Sequence, residues 1–271
     1  CCLSLSAMAA CRGVCTRQFI TALCAEFLAV FLFMVVCLGS TLAVSSKVEA
    51  EPFTHIALCF EFTITILVHS FGHICEACLN PAVTLAMALT RKITIAKGFL
   101  YMVVQCLAAF TGTAVLLLFR PKNVFGVTQV STDILASQAL FIEAIISFQL
   151  VFMVFASCDR NRKDLRAPPS LIIGLSVTTG HLFAVRILHQ HEPARSLGPS
   201  LIFQQWENHW VYWVGPVMGA VAAGFLYEFL FCPEPEVKSQ RRVTFPLRKP
   251  EEKEMTEMVP SEILEHHIEI K

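Results

Sequence analysis

The chain reads as an all-α membrane protein, with six transmembrane helices and two re-entrant half-helices in an inverted repeat. Three observations predict this. Of the 271 residues, 55% are hydrophobic and only 15% charged, against roughly 25% charged in an ordinary soluble domain, and the mean hydropathy is +0.61. Six apolar runs approach the roughly 20 residues a helix needs to cross a bilayer. A short Pro-led segment follows the second and the fifth of these runs. The composition argues against a soluble enzyme of ordinary make-up and a disordered chain. Lys+Arg and Asp+Glu are balanced at 21 each, so nothing in the net charge points to nucleic acid.

The six runs cover residues 19–44, 54–72, 97–119, 137–157, 170–188 and 210–232. The first is too long, and lacks the small-residue cleavage site, for a signal peptide. Position 1 is Cys and the first Met is Met8, a pattern expected of a fragment or a misassigned start. Cys24, Cys37, Cys59 and Cys106 sit inside apolar runs and are expected to be small buried hydrophobes, not a disulfide framework. The expected organisation is a cytoplasmic segment 1–17 and a channel-like domain 18–232, with repeats 18–119 and 137–232. A polar tail, 233–271, follows and is expected to be mostly disordered, with a short helix near 261–267.

Orientation follows from Lys/Arg placement. One alternating set of connecting segments carries twelve, from Arg12 and Arg17 to Arg241 and Arg242, and the other carries five. Both termini are therefore expected on the cytoplasmic side, at the plasma membrane of a multi-pass protein.

The Pro-led segments 81–90 and 193–203 are too short to span. Pro is favoured at the first helical position because its missing N–H would be unpaired there anyway. Backbone that breaks at membrane depth is tolerated only where protein buries it or where it lines a water-filled cavity. The two halves repeat: Asn80-Pro81-Ala82 follows Glu26 by 54 residues, and Glu192-Pro193-Ala194 follows Glu143 by 49. Three spans per half turn the second half upside down, so the two half-helices enter from opposite faces. An inverted repeat with broken helices meeting at the midplane is a transport architecture.

Specific motifs then carry a resemblance. Ser70-Phe71-Gly72-His73-Ile74 with Asn80-Pro81-Ala82-Val83-Thr84, and Pro193-Ala194-Arg195-Ser196-Leu197-Gly198-Pro199, resemble the two signature loops of the aquaporins, the major intrinsic proteins. Further matching stretches are Thr90-Arg91-Lys92-Ile93, Phe148-Gln149-Leu150-Val151-Phe152, Gly180-His181-Leu182-Phe183-Ala184, and the run from Trp206 to Pro216. The resemblance covers roughly residues 13–235. It implies one pore per protomer, a homotetramer in a lipid bilayer, water as permeant, no cofactor and no catalysis. It also places a selectivity constriction on Phe60, His181, His189 and Arg195, and makes Glu26 and Glu143 structural acids that hold the re-entrant loops. Each half-helix N-terminus carries about +0.5 elementary charge, so two meeting head-on place about +1 at the pore centre. Asn80 is expected to donate N–H to passing water.

The second signature departs from the family: Glu192 stands where the family has Asn. Ionised Glu only accepts hydrogen bonds, and its charge would cancel that of the half-helices. A charge at that depth costs about 2.5–3.5 kcal/mol on insertion scales, so Glu192 is expected either to pair with Arg195 or to stay protonated. Glu76 and Ala77 replace a usual Gly-Gly before the first signature and are expected to crowd the loop. Glu61 follows Phe60 where the nearest resemblance has Gly. Cys78 and Cys158 are candidate sites for mercurials. His189-Gln190-His191 does not have the spacing of a metal site, since i and i+2 do not share a helix face. The competing readings are a passive water channel, a non-conducting structural or adhesion member of the fold, and a weakly cation-leaky pore. No nucleophile–base pair, phosphate loop or metal spacing supports an enzyme.

Overall fold

A computed structural model describes residues 16–44, 53–119, 127, 134–159, 162, 167–184 and 193–232. The expected elements on 1–15, on 185–192 and on 233–271, the helix near 261–267 included, lie outside the described residues. The described residues fall within one compact unit, Cys1–Glu234.

Eight α-helices are described: α1 (Arg17–Val44), α2 (Phe53–Cys75), α3 (Pro81–Leu89), α4 (Ile95–Leu117), α5 (Ala136–Ser157), α6 (Pro169–Ala184), α7 (Pro193–Phe203) and α8 (Val211–Leu226), which runs on through a π-turn, Tyr227–Phe231. Among the described residues, five helices are long and apolar enough to cross a membrane: α1, α2, α4, α5 and α8 with its π-turn. The fifth expected span, 170–188, is described in part. It is described only as the 16 residues of α6, about 24 Å at 1.5 Å per residue, and 185–188 lie outside the described residues. α3 and α7, of 9 and 11 residues, are the half-helices.

The packing repeats between halves. α1 lies against α2 and α4, and in the same order α5 lies against α6 and α8. The half-helices are exchanged: α3 packs on α8 as well as on α4, and α7 packs chiefly on α4. α3 and α7 touch each other, and α2 meets α6 across the divide between halves. This exchange ties each half to the other through its short helix.

Small residues permit these approaches. A Cβ at Gly198 of α7 would stand 2.6 Å from the Ala109 carbonyl oxygen of α4. A Cβ at Gly219 of α8 would overlap the Ala144 carbonyl of α5. Close backbone contact of this kind substitutes for a hydrophobic driving force that is absent between helices in lipid. The outward faces are apolar, with Ile66, Phe99, Phe141 and Phe229 all exposed, as a lipid-facing surface requires.

The cysteine expectation holds in part. Cys37 is buried, but Cys59 and Cys106 are only half-buried and Cys24 is exposed. Membrane-facing helix surfaces accept such side chains, so an apolar run does not by itself imply burial.

Candidate pore

Asn80 starts α3. Its backbone is extended (φ −137°, ψ 127°), its side-chain Oδ1 accepts from the Ala82 N–H at 2.7 Å, and Pro81 follows at the first helical position. Both are standard helix-start devices. With Oδ1 engaged, the amide NH₂ is the part of Asn80 left to face the cavity described below.

The loop leading to Asn80 is strained. Glu76, Ala77 and Leu79 have φ of 61°, 43° and 58°, a region that costs an L-residue about 1–2 kcal/mol. The expected crowding by Glu76 and Ala77 is therefore not a side-chain clash. Glu76 turns outward to pair with Lys97 Nζ at 2.7 Å and accepts from the Tyr101 hydroxyl at 3.4 Å. The cost of replacing Gly-Gly sits in the backbone.

Glu26 holds this loop from below. It is 0% exposed, and its Oε1 accepts from the Leu79 N–H at 2.6 Å and from Gln105 Nε2 at 2.8 Å. Gln105 Nε2 also donates to Thr84 Oγ1 at 2.8 Å, so one buried network joins α1, α3, α4 and the loop. Glu143, its counterpart in the second half, is also 0% exposed. Among the described residues neither of its oxygens has a hydrogen-bond donor, and the segment preceding Pro193 lies outside those residues.

A cavity of about 940 Å³ is lined by Arg91, Lys92 and Asp159, by His69 and His73 on α2, by Cys78 and Asn80, and by Phe33, Phe60 and His181. Phe60 and His181 are 2% and 1% exposed, with ring centroids 4.4 Å apart. Phe33 braces Phe60 edge-on at 5.6 Å. The His181 Nδ1 lies 3.1 Å from the Val177 carbonyl oxygen. A carbonyl only accepts, so Nδ1 carries a proton, and in the neutral ring Nε2 then carries the lone pair.

Of the four residues expected at one constriction, Phe60 and His181 are in contact. Arg195 is 2% exposed near the start of α7. His189 and Glu192 lie outside the described residues. Pro193 and Ala194 begin α7 as expected and are buried, as are Pro81 and Ala82 in α3. Cys78 and Cys158 both line the cavity, Cys78 buried and Cys158 exposed.

Several residues of the site escape sequence reading. His69 and His73 share a helix face at i, i+4, a signal that polar residues inside an apolar span would have given. The link from Glu61 to Thr178 spans 117 positions and has no local signature.

The profile of the major intrinsic protein family matches residues 14–227. The chain belongs to the major intrinsic protein family. It is 46% identical to aquaporin-4 of Rattus norvegicus over 250 residues, covering 90% of this chain and 77% of that protein. It is 47% identical to aquaporin-4 of Dipodomys merriami over 244 residues, covering 88% and 75%. Aquaporin-1 of Bos taurus is 37% identical over 228 residues, covering 80% and 84%. In fold it resembles the crystal structure of the aquaglyceroporin from Plasmodium falciparum, with a TM-score of 0.72 at 20% identity, over 79% of this chain and 97% of that one. As a major intrinsic protein this chain is a membrane transport protein of the channel type, and not an enzyme.

Proposed function

We propose that this major intrinsic protein is a passive, water-selective channel driven by osmotic gradients. The observation that carries the reading is the Phe60–His181 ring pair on the wall of the cavity that Asn80 also lines. Rings with centroids 4.4 Å apart are in contact, so a permeant passes beside the pair, and the two rings together narrow that passage in favour of the smallest permeant. The His181 Nε2 lone pair accepts from a water that has left bulk, and the Asn80 amide donates to one. Two half-helix N-termini and Arg195 supply positive charge against cations. Glu26 and Glu143 are assigned to holding the loops. The channel domain is assigned to 18–232, with a cytoplasmic segment 1–17 and a cytoplasmic tail 233–271. The protein is placed in the plasma membrane as a homotetramer with both termini inside, and nucleic acid has no part.

Glu192 favours a second reading, a non-conducting or weakly cation-leaky member of the fold. Osmotic swelling of cells expressing the protein at their surface, under voltage clamp, decides between them. Fast swelling without current supports the water channel, and means that Glu192 is neutralised in place. Absence of swelling that Glu192→Asn restores assigns closure to that carboxylate. Current carried by the unmodified protein refutes water selectivity.

A further inference from the structure

Glu61 is a carboxylate inside a membrane-spanning helix, 6% exposed. Such a group is costly and is functional by default, with its partner the first thing to name. The partner is Thr178 on α6, whose hydroxyl donates to Glu61 Oε2. Both ends of this bond adjoin the constriction: Glu61 is next to Phe60 on α2, and Thr178 is three residues before His181, on the same helix. Thus two consecutive cross-links join α2 to α6 at one level. One is a hydrogen bond and the other the 4.4 Å ring contact.

The helices are already close at this level. A Cβ at Gly174, one turn before Thr178, would overlap Thr65 Oγ1 and stand 3.0 Å from the Glu61 carbonyl oxygen. Small residues set close helix approach in a bilayer, and polar side chains bond across it. Here the contact joins the two halves of the repeat, so its spacing sets the distance between the walls that carry Phe60 and His181. Glu61 is not itself on the cavity wall, so it touches no permeant and acts through its neighbours.

We propose that Glu61 and Thr178 form an interhelical clamp that holds Phe60 against His181 and so excludes solutes larger than water. Glu61 is then a positioning residue for selectivity. The inference rests on the reading of this ring pair as the constriction.

The test pairs disruptive with conservative variants. Glu61→Leu removes the acceptor and Thr178→Val removes the donor at nearly constant volume. Glu61→Gln retains an acceptor oxygen, and Thr178→Ser retains the hydroxyl. Two quantities are read in proteoliposomes: the ratio of glycerol to water permeability, and the distance between spin labels at the exposed positions Ile66 and Leu175. Loss of this hydrogen bond is expected to raise the glycerol-to-water ratio by up to about tenfold in Glu61→Leu and in Thr178→Val. The label distance is expected to lengthen or broaden in the same two variants. The Gln and Ser variants are expected to stay near the unmodified protein in both readouts.

Unchanged solute ratio in both disruptive variants overturns the clamp, whatever the label distance does. Equal effects of Glu61→Leu and Glu61→Gln also overturn it, because they would make the charge or bulk at 61 decisive and not the bond. An unmodified protein that passes no water, with both disruptive variants then conducting, upholds the clamp while refuting the open water channel.

Discussion

Glu26→Ala should loosen the loop that carries Asn80. Glu26 is fully buried, and its Oε1 is the acceptor for the Leu79 N–H and for one Gln105 N–H. Truncation leaves both donors without that acceptor, at about 1–3 kcal/mol for each buried orphan. Gln105 keeps its bond to Thr84, so the low end of the sum, about 2 kcal/mol, is the safer expectation. The same loop already carries three left-handed residues other than Gly, so it is the segment in which local opening is cheapest. About 2 kcal/mol then raises the open population about thirtyfold. Cys78, 6% exposed in the closed loop, reports that opening. Its rate of maleimide modification, followed by peptide mass spectrometry on protein in lipid nanodiscs, should rise by about that factor. Glu26→Gln keeps an acceptor oxygen for Leu79 and should raise the rate far less. Modification of Cys78 in Glu26→Ala within about threefold of the unmodified protein would refute the assignment of Glu26 as the anchor of this loop.

Two further outcomes follow from the same geometry. Ala77→Gly removes a left-handed strain of about 1–2 kcal/mol at φ 43°, less the entropy Gly adds to the unfolded chain, so the denaturation midpoint should rise; a fall would mean the loop carries no strain at 77. His209 Nε2 accepts from Trp213 Nε1 at 3.0 Å, and its Nδ1 lies 3.3 Å from Ser200 Oγ, so the ring is held neutral between the end of α7 and the start of α8. Burial pushes its pKa below the ordinary value. The unfolded state therefore takes up a proton first as pH falls, and the stability contributed by His209 is full above about pH 6.5 and lost in acid as pH drops toward its folded pKa. Thermal midpoints measured from pH 7.5 to 5.5 should decline in the unmodified protein and be flatter in His209→Asn, and an equal decline in both would locate the proton elsewhere.

Much of the architecture was legible because a bilayer imposes simple rules. Long apolar runs, Pro-led short segments and the recurrence of Glu before each signature are properties of local composition and spacing. Cys24 shows the limit of that reading, since lipid makes an exposed apolar face as acceptable as a buried one. Phe60 and His181 were legible as candidates, but their contact depends on α2 and α6 meeting across the two halves.

The class, the repeat and the start of α3 follow from local chemistry, because hydropathy, Pro at the first helical position and an Asn cap act over a few residues. Folding was needed to show that Glu76 pairs with Lys97 over a left-handed backbone, that Glu26 reaches Leu79, and that Glu61 bonds Thr178 beside the ring pair. These are contacts between groups 21, 53 and 117 positions apart. Their partners are chosen by which helices can approach, and that is settled by small residues such as Gly174 and Gly198 acting on the whole bundle at once.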